Sequence, residues 1–196
     1  RRAIVVARTG KSTIEHPAVG AGVYSADGDL LGEGTDEREL TGDPTACAEV
    51  VALRAAAAQS TTWRLEGCTL VTTLEPGVLG AGAIVMARIK RLVLGSWDLH
   101  NGAVSSQWDL VRDRRLNHYV EVVHGVLADE TDVLISKYAA HQEFLAQARR
   151  KELTHGSSLP DSSDCGDATV PMRPGGVGGR MRVRPRDAGE TRLTGV

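Results

Sequence analysis

The apolar positions along residues 1 to 150 alternate between helix-like and strand-like spacing. A short helix is predicted from Arg2 to Arg8. The segments AVGAGVYS (Ala18–Ser25) and LLGEGT, with the turn signal Asp27-Gly28 between them, predict a β-hairpin. The alanine-rich segment TGDPTACAEVVALRAAAAQ then predicts a helix with Thr45 as its candidate N-cap.

Strands and helices continue to alternate after a break at Gly67. CTLVTTLE predicts a buried strand, LEPGVLGAGAIVMARIK a helix, and RLVLGS another strand. Residues 98–115 are expected to form a loop with a short helical piece, followed by a strand in YVEVVHGVL and a helix from Asp129 to about Arg150. This order predicts an α/β domain whose sheet is partly parallel and covered on both faces.

The composition changes beyond about Lys151, where Gly, Ser, Pro and Asp dominate and few large apolar residues remain. We therefore expect a folded domain over residues 1–150 and a disordered tail over residues 151–196. The basic end of this tail, PGGVGGRMRVRPR, has two interpretations, namely contact with RNA phosphates or a solvated tail without a role.

Charge and cysteine content narrow the class of protein. A formal net charge of −2 argues against a generally basic nucleic-acid-binding chain, although a local patch stays open. Three cysteines without framework spacing are typical of a reducing cytoplasm. No apolar run reaches the roughly 18 residues of a membrane helix, so a cytoplasmic protein without a membrane partner is expected.

Two stretches carry residues suited to chemistry. Cys47 and Glu49, in the first turn of a predicted helix, would direct a thiol and a carboxylate to the same cleft, where the helix N-terminus is expected to lower the thiol pKa. A cysteine in an alanine-rich helix is also typical of a small core residue. In the second stretch Gly77, Gly80 and Gly82 crowd a helix start, where each costs about 1 kcal/mol relative to alanine. Either the backbone approaches a ligand such as an anion there, or side chains have been lost.

Read together, these stretches resemble a known family. PTACAEVVALRAAA, GCTLVTTLEPGVLGAGAIVMARIKRLVLGSWD, LVRDRRLNH and GVLADE follow one another as in the cytidine deaminase-like superfamily, and are most similar to bacterial tRNA adenosine deaminases. The resemblance covers about residues 19–140. It implies a three-layer α/β/α fold with a mixed, five-stranded central sheet. It also implies a zinc site in which His or Cys, then any residue, then Glu stand on one helix and Pro-Cys-x-x-Cys opens the next.

The resemblance assigns roles to individual positions. Glu49 occupies the proton-shuttle position and Cys47 the first zinc-ligand position, but Gly77 and Gly80 stand where the family has its two other cysteine ligands. Catalytic zinc sites use three protein ligands, so we expect zinc to be absent or weakly bound. Zinc activation of water is worth about 12 kcal/mol, whereas a general base such as Glu49 supplies about 3 to 5 kcal/mol. The sequence therefore predicts a catalytically impaired pseudoenzyme; the alternative is an active zinc-dependent tRNA adenosine or nucleoside deaminase with an unrecognised metal site.

Substrate and partner contacts follow from the same resemblance. Asp36 stands where the tRNA deaminases use an Asn to hold the nucleoside, although it could equally shape a turn. Asn117 and His118 match a family segment near the substrate channel, with a structural role as the alternative. The resemblance implies tRNA as a partner, and a homodimer or a heterodimer with a deaminase paralogue. A basic cluster could meet the tRNA backbone or form a solvated loop: Arg112, Arg114 and Arg115.

Overall fold

The computed structural model describes residues 1–10 and 16–155, and these build one mixed sheet with the strand order β2-β1-β3-β4-β5. β1 pairs antiparallel with both β2 and β3, whereas β3, β4 and β5 run parallel. The strands are β1 Gly20–Tyr24, β2 Leu30–Thr35, β3 Thr69–Leu74, β4 Arg91–Ser96 and β5 Glu121–Val123. The predicted mixed, five-stranded sheet is confirmed.

Helices cover both faces of the sheet, which confirms the predicted three layers. α3 packs against β1, β2 and α4, whereas α1 and α5 contact each other and the strands of the central sheet. The helices are α1 Arg2–Thr9, α2 Arg38–Thr41, α3 Ala48–Ser60, α4 Val78–Met86 and α5 Ala128–His155. The buried core consists mainly of aliphatic side chains, as in Leu70, Ile84, Leu92 and Leu94. No described helix has the length and hydropathy needed to cross a membrane.

α3 lies directly on β2 because the strand has no side chains at two positions. A Cβ atom added to Gly34 would lie 2.6 Å from Cβ of Val51 and 2.8 Å from the main-chain nitrogen of Ala52. A Cβ on Gly32 would likewise meet the main chain of α3 at Ala52 and Ala56. These two glycines allow the main chains of strand and helix to approach more closely than any side chain permits.

Most predicted elements are present, but two predictions about their ends and one predicted short helix are wrong. Thr45 does not cap α3, because its hydroxyl donates to Oδ1 of Asp43 (2.7 Å) while Cys47 occupies the N-cap position. β5 is limited to three residues, since the N–H of Val120 bonds to the carbonyl of Val111 instead of extending the ladder. The helical piece predicted within residues 98–115 is absent, and turns and irregular stretches form the segment.

The hairpin turn and the start of α4 agree with their sequence signals. Gly28 adopts a φ of +92°, the conformation that favours glycine in the predicted turn. α4 starts just after Pro76, with Gly77 at its N-cap. The predicted tail, residues 151–196, lies outside the described residues apart from the end of α5 and stays a prediction.

Candidate active site

The N-terminal ends of α3 and α4 meet at a cavity of about 410 Å³. α3 follows β2 and α4 follows the carboxyl end of β3, so the topology brings both helix starts to one region above the sheet. Residues from both helix starts, from the end of β2 and from α5 line the cavity: Asp36, Cys47, Glu49, Gly77, Gly80 and Tyr138. The cavity therefore brings together Asp36, Cys47, Glu49, Gly77 and Gly80, five residues to which the resemblance gives a place in the site.

Glu49 is buried, with 5% of its surface exposed, and lies in the first turn of α3. The Thr72 hydroxyl on β3 donates a hydrogen bond to Oε1 of Glu49 (3.2 Å). Burial raises the pKa of the Glu49 carboxyl, and the hydrogen bonds that it accepts offset this only in part. The carboxyl is therefore a partly desolvated acid that can hold a proton at higher pH than a surface glutamate.

The Cys47 thiol has a different protonation behaviour from the predicted one. Burial, and secondarily the nearby Glu49 carboxylate, raise the pKa of Cys47 to about 12. The prediction of a lowered pKa is wrong. Cys47 occupies the N-cap position of α3, but the hydrogen bond from the N–H of Val50 lowers the thiol pKa less than burial and the Glu49 carboxylate raise it. Without a bound cation, this thiol is not a reactive nucleophile at neutral pH.

Gly77 and Gly80 face the cavity with bare main chain. Neither adopts a positive φ, so the backbone conformation does not require glycine at either position. A Cβ on Gly77 would make an ordinary contact, 3.5 Å from the main-chain oxygen of Asn101. A Cβ on Gly80 would lie 3.0 Å from Oε2 of Glu49 and 3.2 Å from Cβ of Pro76. Both positions therefore open toward the groups that form the cavity.

The metal-ligating side chains near the cavity are few. Over residues 1–10 and 16–155, no group of three or more His, Cys, Asp or Glu side chains is arranged to hold a metal ion. His16 lines the cavity, where its Nε2 lies 3.0 Å from Oε1 of Glu39. His100 lies 3.8 Å from Glu143, and the ring of His124 packs on Trp97.

Asp36 reaches the cavity wall, but its carboxylate is engaged by an arginine. It comes directly after β2, and its two oxygens accept hydrogen bonds from Nε (3.0 Å) and Nη2 (2.5 Å) of Arg38. Because a guanidinium and a carboxylate fit each other in two places, this pair fixes both side chains. Sequence analysis missed Arg38, although its spacing of two residues from Asp36 was a usable signal.

Asn117 and His118 lie away from the cavity lining. Oδ1 of Asn117 accepts a hydrogen bond from Nη1 of Arg88 (2.6 Å), and Nε2 of His118 is 2.7 Å from the main-chain oxygen of Ile89. These two contacts connect the loop before β5 to the segment just after α4, where Arg88 has a φ of +65°. Their predicted part in substrate binding stays a prediction, and the structure does not bring them together with Cys47 and Glu49.

Sequence analysis also missed Glu75, a buried carboxylate that follows β3. Oε1 accepts hydrogen bonds from the N–H groups of Val104 (3.0 Å), Ser105 (2.8 Å) and Ser106 (3.0 Å). Oε2 accepts from the N–H of Asp98 (3.1 Å) and from the Ser106 hydroxyl. A glutamate at the end of an apolar strand was the available signal, because such a charge requires many donors.

A polar chain connects this loop to α5 at the rim of the cavity. Nδ2 of Asn101 donates to the Tyr138 hydroxyl (2.7 Å), which donates to Oδ2 of Asp98 (3.3 Å). Burial and the Asp98 carboxylate raise the pKa of Tyr138 to about 12. The phenol therefore stays protonated and serves as a neutral hydrogen-bonding group.

This geometry is accompanied by similarity to known proteins. Residues 1–96 match the family model described as the cytidine and deoxycytidylate deaminase zinc-binding region. The tRNA-specific adenosine deaminase of Haemophilus influenzae is 42% identical over 120 residues, which cover 61% of this chain and 69% of that protein. This chain belongs to the cytidine deaminase-like superfamily.

Within this superfamily the chain is similar to further tRNA-specific adenosine deaminases. That of Bacillus subtilis is 34% identical over 154 residues, covering 79% of this chain and 94% of the relative. A solved structure from studies of A-to-I editing by tRNA:A34 deaminases at the wobble position of transfer RNA superposes with a TM-score of 0.63 and 32% identity. The match covers 67% of this chain and 94% of that one, so the deaminase-like fold extends over nearly the whole of the solved chain.

Proposed function

We propose that this protein is a deaminase-fold pseudoenzyme, related to the tRNA adenosine deaminases, that does not hold catalytic zinc and keeps its cavity for binding tRNA or a nucleotide. The observation that carries the proposal is the pair Gly77 and Gly80 at the start of α4. These positions adjoin Glu49 and Asn101 in the cavity, yet they offer no side-chain atom that could bind a metal.

The residues present do not fit the zinc ion of the family. A catalytic zinc site takes three protein ligands and leaves a fourth position for water. Of the three ligand positions that the resemblance indicates, only Cys47 has a donor side chain. A single cysteine supplies one of these three ligands, so Cys47 alone is a poor site for a cation.

Loss of the metal removes the main source of nucleophile activation. A positioned carboxylate such as Glu49 contributes roughly 10²- to 10⁴-fold as a general acid or base. That contribution is far below the activation that zinc gives to bound water. Deamination of adenosine is therefore expected to fall to near the uncatalysed rate.

Binding does not need the metal. The cavity volume of about 410 Å³ lies within the range of roughly 300 to 1,000 Å³ that small-molecule sites occupy. Its lining includes hydrogen-bonding groups at Asn101, Tyr138 and Arg38. Because Arg38 engages both oxygens of Asp36, a nucleoside would be held differently from the Asn-mediated contact expected in the family. Binding of tRNA would agree with the cytoplasmic location that the sequence predicts for this protein.

We expect this protein to form a dimer in which the partner subunit binds an apolar groove between α3 and α4. Its lining is almost entirely apolar and includes Leu53, Trp63, Ala83 and Met86. Trp63 is 58% exposed and Met86 is 63% exposed, which is unusual for side chains of this size. We expect a second copy of this chain, or a deaminase paralogue, to cover the groove.

Metal analysis and an editing assay on the same preparation test the proposal. The purified full chain is measured for zinc by mass spectrometry and then incubated with a tRNA anticodon stem-loop to detect inosine. The Haemophilus influenzae tRNA-specific adenosine deaminase serves as the positive control. We expect well below one zinc per chain and no inosine above background. About one tightly bound zinc per chain together with inosine formation would establish the alternative, an active enzyme with an unrecognised metal site.

A further inference from the structure

Within the described residues, the carboxylate of Glu75 accepts its hydrogen bonds from a single loop. The five donors come from Asp98, Val104, Ser105 and Ser106, and Glu75 is 2% exposed. A buried carboxylate is costly unless donors satisfy its oxygens, and here four main-chain N–H groups and a hydroxyl do so. The loop from Asp98 to Ser106, called the wall loop below, is therefore folded around this one side chain.

The wall loop forms one side of the cavity. The main-chain oxygen of Asn101 lies opposite Gly77, at 3.5 Å from the position of an added Cβ. The Asn101 side chain bonds to Tyr138 on α5, and both residues line the cavity. Displacement of the wall loop would therefore move the rim at two points, on the loop itself and on α5.

Gly102 gives the carboxylate its access to the wall loop. A Cβ atom on Gly102 would overlap Oε2 of Glu75 and lie 2.6 Å from the main-chain oxygen of Asp98. Its φ is not positive, so the requirement for glycine is one of space and not of conformation. A side chain at this position would expel the Glu75 carboxylate even though Glu75 itself is unchanged.

We propose that Glu75 is a positioning residue for the cavity: it holds the wall loop, and through it Asn101 and Tyr138, in the arrangement that binds a ligand. Its part is specific to a carboxylate, because both oxygens must accept and neither can donate. Glutamine keeps one acceptor oxygen but turns an amide N–H₂ toward the donors of Asp98 and Ser106. The ligand-binding arm of this inference rests on the proposed function.

The test compares Glu75→Gln and Gly102→Ala with the unmodified chain, and uses Glu66→Gln as the matched control, since Glu66 is exposed and pairs with the exposed Arg64. Amide hydrogen exchange over residues 98–106 reports on the wall loop. Iodoacetamide alkylation, followed by peptide mass spectrometry, compares Cys47 in the cavity with buried Cys68. Affinity for a tRNA anticodon stem-loop reports on binding.

Both variants are expected to raise exchange in the wall loop and alkylation of Cys47 about tenfold or more, because each breaks buried hydrogen bonds. Alkylation of Cys68 should stay unchanged, and the Kd for the stem-loop should rise about tenfold. Unchanged exchange in the wall loop, an equal rise at Cys68, or unchanged stem-loop affinity would each overturn the inference. If the unmodified chain does not bind the stem-loop, tRNA binding in the proposed function fails, while exchange and alkylation still decide the role of Glu75.

Discussion

The Glu49 carboxylate lies against the main chain of Gly80, so closely that a Cβ atom on Gly80 would be 3.0 Å from Oε2 of Glu49. The atom in the way is the far end of a flexible side chain and not main chain. A few tenths of an ångström of movement by Glu49 would make room for a side chain at position 80. The Gly77 position needs no such movement, since its nearest neighbour is at 3.5 Å.

The double substitution Gly77→Cys with Gly80→Cys should create a zinc site. Together with Cys47 it supplies three thiol ligands, a set that zinc deaminases of this superfamily use. About one zinc per chain is expected after purification with zinc. Added zinc should also raise the Tm of the variant, because a ligand that binds only the folded state stabilises it.

A matched control for the zinc experiment is Gly82→Cys, which adds a thiol to the same helix. A Cβ at Gly82 meets no atom within 4 Å, so this thiol would point into open space. The control should bind no more zinc than the unmodified chain. If the double variant also gains no zinc, the cavity has diverged from the zinc-binding geometry beyond these two positions.

Glu49→Gln is expected to stabilise the metal-free protein at high pH. Burial raises the pKa of Glu49 above its unfolded value, so the stability associated with its protonated form is complete below about pH 4 and is lost as the pH rises through the raised pKa. Glutamine is neutral throughout. Urea denaturation in EDTA should show a variant that is more stable by about 1 kcal/mol at pH 8, with the difference shrinking toward pH 4.

Glu33→Gln provides a control of opposite sign for this pH dependence. Hydrogen bonds from Arg2 lower the pKa of Glu33, so its contribution to stability is present at neutral pH and is lost as the pH falls through the lowered pKa. The variant should be slightly less stable than the unmodified chain at pH 8 and equal to it near pH 3. Parallel behaviour of the two variants would contradict the assignment of Glu49 as desolvated.

Alkylation of Cys47 should be slow at neutral pH and should accelerate about tenfold per pH unit above it, because only the thiolate reacts. Burial and the Glu49 carboxylate raise the pKa of this thiol to about 12. Glu49→Gln removes the second of these causes and should increase the rate at pH 8. Peptide mass spectrometry after timed iodoacetamide treatment measures both rates. A Cys47 rate at pH 7 equal to that of a small exposed thiol would show that the side chain is not desolvated.

Two glycine substitutions should have opposite effects on stability. Gly34→Ala forces a Cβ against α3 at Val51 and Ala52 and should destabilise the protein by about 1 to 3 kcal/mol. Gly82→Ala fills open space within α4 and should stabilise it by up to about 1 kcal/mol. Chemical denaturation at one pH compares the two. Equal effects would mean that β2 and α3 can separate without cost.

Met86→Glu should weaken self-association if the groove between α3 and α4 binds a second copy. The substitution puts a charge into an apolar contact, and the unpaired charge opposes burial. Light scattering after size-exclusion chromatography should give a dimer mass for the unmodified chain and a monomer mass for the variant. The control variant Val133→Glu should remain dimeric, because the Val133 side chain on α5 is exposed and lies outside the groove. A monomeric unmodified chain would contradict the dimer.

The order of the five strands and of α1, α3, α4 and α5 could be predicted from apolar runs separated by turn and helix-breaking residues, whereas the one-turn helix α2 was not predicted. The hairpin turn at Asp27-Gly28 and the helix after Pro76 are local signals that survive folding. The short β5 and the absent helix before it could not be predicted, because N–H groups of this region bond outside any regular ladder or helix. The N–H of Val104 bonds to Glu75, which is distant in sequence, and the N–H of Val120 bonds to the carbonyl of Val111. Propensity carries no information on such partners.

The candidate site was predictable at the level of positions but not of interactions. The resemblance to the deaminase zinc motif predicted that four positions belong to one site, and the structure places them in one cavity: Cys47, Glu49, Gly77 and Gly80. The raised pKa of Cys47 depends on desolvation and on a neighbouring carboxylate, which spacing along the chain does not reveal. Asn117 and His118 match a family segment near the substrate channel, but they lie beside Arg88 and Ile89, because the loop before β5 folds toward the end of α4.

The bare stretch of β2 has a consequence for how the two helix starts keep their places. With Gly32 and Gly34 in contact with its main chain, α3 approaches the sheet more closely than side chains on β2 would allow, and its buried side chains, such as Leu53, complete the packing. The position of Cys47 and Glu49 over the strands is thus set in part by contact between two main chains. Substitutions at Gly77 and Gly80, at the start of α4, would leave this contact between β2 and α3 in place.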